Sequence, residues 1–436
     1  MAEQKLNYKR TVLIGFAFMS ICAFWQLYDS IVPLILKNSF GIGDTLSGVV
    51  MAMDNVFAVV LLPLFGALSD RVSTPLGKRI PFILVGTVLA VISMIFMPIG
   101  DNKASFTIFI IALFAALLSM SLYRSPAVAL MPDVTPKPLR SKANAVINLM
   151  GAVGGVIALG LIAVLVKKTA KPDYLPLFAI IGGIMLVSAA IVALTTRENR
   201  LVREMHETGG YGEPEEEPEA SAKDAKRFRT KLPRDVMRSL IFILLSVFLW
   251  FMGYNAVSTA FSKYAQEVLG MEGGGFALSM MVATVAAVIT YIPAGLVASK
   301  IGRKKTIIIG VALLSASFGS AFFFTSYSPV INALLALAGV GWAAINVNSY
   351  PMVVEMAKGS DVGKYTGYYY TFSMAAQILT PILSGALLEH VSYRTLFPYS
   401  VVFCLLALLT MSFVRHGDSK PAPQKSKLEM LDVDMD

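Results

Sequence analysis

Histidine and cysteine are almost missing, three and two in 436 residues. Cys22 and Cys404 both sit inside apolar stretches, and His206, His390 and His416 fall in loops or at a span end. No disulfide framework, metal cluster or histidine proton relay can be assembled from them. Charge is scarce too: 15% of the residues are Asp, Glu, Lys or Arg, while 56% are apolar. Soluble domains carry roughly 25% and 45–50%, so a soluble globular protein is excluded. No G-x-x-x-x-G-K-S/T loop occurs, which removes a phosphate cradle for ATP. With no His/Cys/Ser catalytic set in the apolar stretches, the reading is not an enzyme.

Present instead are twelve apolar stretches, from residues 11–37 to residues 395–414, separated by short polar breaks. A span needs about 20 such residues. The first stretch follows Lys5, Lys9 and Arg10, is longer than a signal-peptide core and lacks a small-residue cleavage site, so it is expected to stay as a span. The net charge of +9 is explained by placement. With both termini cytoplasmic, the great majority of the 37 Lys and Arg residues fall in internal segments. That is the positive-inside bias, and it implies N-in, C-in topology rather than a nucleic-acid partner.

Residues 197–238 hold an acidic run, Glu213 to Glu219 with Pro214 and Pro218, then the basic Lys226-Arg227-Phe228-Arg229. Low hydrophobicity with opposed charge blocks reads as a solvated cytoplasmic linker. It divides six spans in 1–196 from six in 239–414, and 415–436 reads as a disordered cytoplasmic tail. The halves repeat. Gly66-Ala67-Leu68-Ser69-Asp70-Arg71 with Gly77-Lys78-Arg79 matches Gly295-Leu296-Val297-Ala298-Ser299-Lys300 with Gly302-Arg303-Lys304-Lys305. Tyr28-Asp29 matches Tyr254-Asn255, and Asp133 matches Glu355. Parallel six-span repeats are a transporter architecture. The expected fold is all-α, twelve membrane helices in two six-helix pseudo-repeats around a central cavity.

These paired loops resemble those of the major facilitator superfamily, over nearly the whole chain. The string Ser69 to Phe82, SDRVSTPLGKRIPF, and Tyr123-Arg124-Ser125-Pro126-Ala127 through Met131-Pro132-Asp133 more closely resemble the sucrose-type and glycoside–pentoside–hexuronide sugar–cation symporters. The resemblance implies a secondary transporter, working as a monomer, for a small-molecule sugar.

Charges inside spans are costly, roughly 2.5–3.5 kcal/mol each on insertion scales, and are functional candidates by default. Three qualify: Asp29, Asp54 and Arg124. At about 1.5 Å per residue each lies about 13 Å from one end of its span, near the middle of a core about 30 Å thick. A buried carboxyl can take a proton near neutral pH while Arg124 keeps the other ionised, so Asp54 and Asp29 are read as the cation-coupling pair. An Asp–Arg pair that only neutralises itself is the plainer alternative. In the resembled family the span-four arginine is needed for sugar transport, and Arg124 matches it. In melibiose-type symporters span two carries Asp-x-x-x-Asp-Pro for the cation; Asp54 matches the first acid, but Ala58 and Val59 replace the rest. That loss of a hard oxygen ligand favours a proton and leaves sodium open. No cofactor is expected.

For a sugar, aromatic faces and polar groups come from Trp25, Gln26 and Tyr28 in span one and Tyr123 in span four. Span seven adds Trp250, Tyr254 and Asn255, and span ten Trp342, Asn346 and Asn348. These four spans line the cavity in the resembled fold. Ordinary packing is the alternative for each aromatic. Asp70, Arg71, Gly77, Lys78, Arg79 and Asp133, with Gly295, Arg303 and Glu355, are read as an inner gate, Asp70 pairing across the halves. Gly151, Gly154 and Gly155 would let span five approach closely. The leading expectation is a proton-coupled importer of a disaccharide or glycoside in the plasma (inner) membrane. The alternative is an exporter or antiporter of a drug or organic anion.

Overall fold

The computed structural model describes residues 6–136, 139–169, 171–207, 233–356 and 362–418, and among them all regular structure is helical. The first half comprises α1 (Tyr8–Asn38), α2 (Asp44–Arg71), α3 (Ile80–Asn102), α4 (Phe106–Asp133), α5 (Arg140–Leu165) and α6 (Leu175–Thr195). A short α7 (Glu198–Glu207) follows. The second half comprises α8 (Arg234–Glu267), α9 (Gly275–Ile301), α10 (Arg303–Ala321), α11 (Pro329–Val354), α12 (Val362–His390) and α13 (Leu396–Ser412). Twelve of these are long and apolar enough to cross a membrane.

The helices form because a spanning segment must satisfy every backbone group within itself. Side chains at their polar ends start several of them. Asn7 accepts the N–H of Arg10 ahead of α1, and Ser105 and Ser328 cap α4 and α11 in the same way. Large apolar residues point outward, with Val164 81%, Leu194 84% and Phe323 78% exposed. Water would not tolerate that surface, and acyl chains would. α8, α1 and α5 are the most enclosed helices, and α9 and α2 the least.

Boundaries move where polar residues continue a helix beyond its apolar stretch. The seventh span extends into the 34-residue α8. The ninth ends at Ala321 and gives way to a turn. Two readings of the polar segments need correction. The linker opens with α7, whose Leu201 and Val202 pack on the apolar core and whose Glu198 is buried. The tail does not leave the body at residue 415, because Asp418 accepts the N–H of Lys304 at 2.9 Å and His416 meets Ser239 at 3.0 Å. The acidic run Glu213–Glu219, the basic run 226–229 and residues 419–436 lie outside the described residues.

Close helix contact is carried by glycine. A Cβ on Gly154 of α5 would overlap the carbonyl oxygen of Met19 in α1, and backbone cannot move aside as a flexible side chain can. Gly160, on the same helix, faces open space. Gly154→Ala is therefore expected to lower the thermal midpoint of the purified protein by several degrees, an overpacking cost of about 1–3 kcal/mol. Gly160→Ala should leave it unchanged. Equal midpoints would mean that the α1–α5 approach is not tight.

Candidate functional site: a polar centre between two halves

Three helices of the first half bring the intramembrane charges together. Asp29 of α1 and Asp54 of α2 lie within electrostatic reach of each other and of the Tyr28 hydroxyl. Arg124 of α4 acts on Asp54 and on Cys22 of α1. Asp54 is steadied locally, its Oδ1 accepting the Asn55 N–H at 2.6 Å and the Asn55 Nδ2 at 2.8 Å. Arg124 differs. Its side chain is partly exposed, and among the described residues no carboxylate lies within ion-pair distance and no acceptor takes its hydrogen bonds. The Asp–Arg pair that only neutralises itself is therefore not formed in this conformation.

The second half meets this group through an unforeseen residue. Tyr291 of α9 is buried, stands beside Asn346 of α11 and interacts with both Tyr254 of α8 and Cys22 of the first half. Its signal was a tyrosine in the middle of an apolar span. Beside it Tyr254 stacks on Trp342, with centroids 3.7 Å apart and planes at 5°, and Phe251 meets the same indole edge-on at 5.3 Å. Trp25 stands edge-on to Phe24 and Tyr28. Three buried polar atoms here have no hydrogen-bond partner among the described residues: Trp25 Nε1, Tyr28 Oη and Asn255 Nδ2. Buried donors are normally satisfied, so this concentration marks a surface built for something else to complete.

Not every expected residue reaches it. Tyr123 is fully buried, and its hydroxyl is used by Ser20 and the carbonyl of Ala17, tying α4 to α1 rather than facing a substrate. Asn348 is buried and donates to Ala344 of its own helix at 2.9 Å, and Gln26 donates to Ser30 at 3.1 Å. Trp250 is enclosed completely. Ala58 is buried and Val59 half-exposed on α2, so this face of the helix adds no oxygen to Asp54.

The expected gate residues gather at the terminal face, which holds the start of α1 and the end of α13, but not as expected. Asp70 does not reach across the halves: it accepts from Arg79 at 2.5 Å, with Lys78 at 3.7 Å, both in its own half. Arg79, buried, also holds Asp133 at 2.8 Å. Arg71 is exposed. Glu198 accepts the N–H groups of Lys78, Arg79 and Ile80 at 3.0–3.1 Å, capping α3 where the chain turns through Gly77 at φ +120°. The second half repeats the device. Arg303 holds Glu355 at 2.7 Å, and Asp418 caps α10 beside Gly302 at φ +95°. Gly295 lies within α9, six residues before its end at Ile301.

At the opposite face the halves are fastened to each other. The buried ammonium of Lys263 in α8 meets Asp44 of α2 at 2.6 Å, and Tyr393 donates to the same carboxylate. Glu389 takes the Thr45 N–H at 2.7 Å, Lys37 pairs with Glu267, and the Gly274 N–H bonds the Val166 carbonyl at 3.1 Å. Gly48 and Gly385 permit the approach, since a Cβ on either would overlap a carbonyl of the other half. The crevice left there measures 10 Å³, about one probe sphere. Sequence reasoning missed this latch because each member sits at a span end, where a charge usually means only solvent.

Comparison with known proteins now bears on identity. The family model described as Major Facilitator Superfamily matches residues 14–291 and 274–432. The chain belongs to the major facilitator superfamily. It is a membrane transporter, not an enzyme. It is similar to the Sucrose transport protein SUC3 of Arabidopsis thaliana, 27% identical over 30% of this chain and 25% of that one, so the match spans a quarter of that relative. It is also similar to Multidrug resistance protein 2 of Bacillus subtilis, 20% identical over 93% of this chain and 96% of the relative. A solved D-xylose-proton symporter superposes with a TM-score of 0.71 at 16% identity, covering 94% of this chain and 98% of that one.

Breaking the latch tests whether it seals the face. Removing one partner of a buried pair costs roughly 3–5 kcal/mol because it strands the other charge. Lys263→Met should therefore speed labelling of the partly exposed Cys22 by an impermeant thiol reagent added from the latch side, by tenfold or more. Cys404, fully buried, serves as the unreactive control. Unchanged labelling would mean the seal lies elsewhere.

Proposed function

We propose that the protein is a proton-coupled symporter that imports a sugar, a disaccharide or glycoside, across the plasma membrane, with both termini in the cytoplasm. The observation that carries this reading is the Arg124 guanidinium, which has no partner among the described residues and lies within electrostatic reach of Asp54, itself within reach of Asp29. A guanidinium offers a rigid fork of donors suited to paired hydroxyls, and the unpartnered Trp25, Tyr28 and Asn255 atoms add further bonds. The stacked Tyr254–Trp342 pair offers an apolar face for a pyranose ring.

The mechanism follows from charge. With the latch open, a proton from outside neutralises Asp54 or Asp29, and sugar completes the donor set between the halves. Discharging the carboxyl removes the cost of carrying it through the membrane, so the halves rock with both cargoes or with neither. A proton moving down about 100 mV supplies about 2.3 kcal/mol, and each tenfold of sugar gradient requires about 1.4 kcal/mol. One proton therefore supports accumulation of some tens-fold. The α2 turn of Asp54 lacks a second acid, which favours the proton over sodium as coupling ion. The names of two similar proteins, a sucrose transport protein and a xylose–proton symporter, support a sugar.

A second reading, export of a drug or organic anion, is favoured by the likeness to a multidrug resistance protein and by the open guanidinium. The Asp54 carboxyl within electrostatic reach of that guanidinium, with Asp29 near it, disfavours an anionic cargo, which places this reading behind the first.

Asp54→Asn should abolish accumulation against a gradient while leaving sugar counterflow measurable in vesicles; full accumulation would remove Asp54 from coupling. Arg124→Lys keeps the charge and discards the fork, so uptake should fall about tenfold or more. Adding sugar to weakly buffered cells should alkalinise the medium, whereas drug efflux without that signal would favour the second reading.

A further inference from the structure

The second half repeats the loop of the first without its acid. In the repeat register Ser299 stands where Asp70 stands, and Lys300 where Arg71 stands. In the first half Arg79 and Lys78 are compensated by Asp70 and Asp133. In the second, Arg303 is held by Glu355, and the Lys304 ammonium donates to the carbonyls of Ser412 and Val414 at 3.1 and 2.6 Å. Lys300 and Lys305 are exposed and meet no acid or acceptor among the described residues.

These two ammonium groups rim a groove of 490 Å³ whose remaining walls are Ile301, Ile308 and Ile309. Ile309 is 47% exposed, and Leu296 and Val297 on the adjoining stretch of α9 are 43% and 42% exposed. A helix end with large apolar side chains turned outward faces acyl chains. We propose that the groove binds an anionic phospholipid of the leaflet at the terminal face, its phosphate between Lys300 and Lys305 and an acyl chain along the three isoleucines. A free inorganic anion makes no use of the isoleucine walls, and a zwitterionic lipid leaves two positive charges uncompensated. The groove is of the size that holds a ligand of a few hundred Å³. Each lysine near an anionic surface is worth roughly fivefold in affinity. The site lies outside the polar centre and does not depend on what that centre carries. Its ligand binds the second half beside the α9–α10 turn.

The test uses purified full-length protein and native mass spectrometry, with phosphatidylglycerol and phosphatidylcholine of identical chains as probes. The wild type should retain one phosphatidylglycerol with at least tenfold preference over phosphatidylcholine. Lys300→Gln with Lys305→Gln should erase that preference without moving the thermal midpoint, and Lys300→Arg with Lys305→Arg should keep it. Equal retention of the two lipids by the wild type, or a preference that survives the glutamine substitutions, would overturn the proposal. Release of the lipid by millimolar inorganic phosphate would also overturn it, marking a simple anion site. Release by a synthetic peptide of residues 419–436, which ends in the acidic LEMLDVDMD, would make the chain's own tail the occupant instead.

Discussion

A guanidinium within a membrane-spanning helix, Arg124 of α4, with no carboxylate against it among the described residues is the constraint on which the molecule depends. Such a group is expensive in hydrocarbon, so the helices around it must either neutralise it or keep it open to water and ligand. Here α2 supplies Asp54 within electrostatic reach but not in contact, and α1 supplies Asp29 within reach of Asp54. A salt bridge would have satisfied the charge and ended its chemistry. In the proposed mechanism, separation leaves all three groups able to respond to a proton or to a ligand's hydroxyls. The unsatisfied indole, phenol and amide atoms nearby extend the same logic to neutral donors.

Charge serves a different purpose at the two faces. At the terminal face each half completes its own cluster, Arg79 with Asp70, Asp133 and the Glu198-capped turn, Arg303 with Glu355 and the Asp418-capped turn. These clusters make each six-helix unit rigid at its base. At the opposite face Lys263, Asp44 and Tyr393 join one half to the other. Rigid halves joined by a breakable contact at one end are what alternating access requires.

The twelve spans were legible because the bilayer imposes one rule, long apolar helices, and the twelve stretches obey it. The intramembrane charges were legible for the opposite reason: they break that rule, so Asp29, Asp54 and Arg124 stand out at once. What escaped was everything that depends on partners distant in the chain. Lys263 looks like an ordinary loop charge until the fold sets it against Asp44. Glu198 begins a charged segment that reads as solvated, yet its carboxylate is buried because three N–H groups at the start of α3 need an acceptor. Asp70 was expected to pair across the halves, yet the cation it holds lies nine residues along in Arg79. Tyr123 shows the converse, an aromatic at a plausible depth whose hydroxyl is already taken.

Proton uptake accompanying sugar binding tests the central claim most directly. Calorimetry of a transported disaccharide binding to the purified protein, repeated at one pH in two buffers of different ionisation enthalpy, counts the protons taken up. The account predicts about one proton entering with each sugar near neutral pH, and none once Asp54 is replaced by Asn. Identical binding heats in both buffers for the wild type would contradict it.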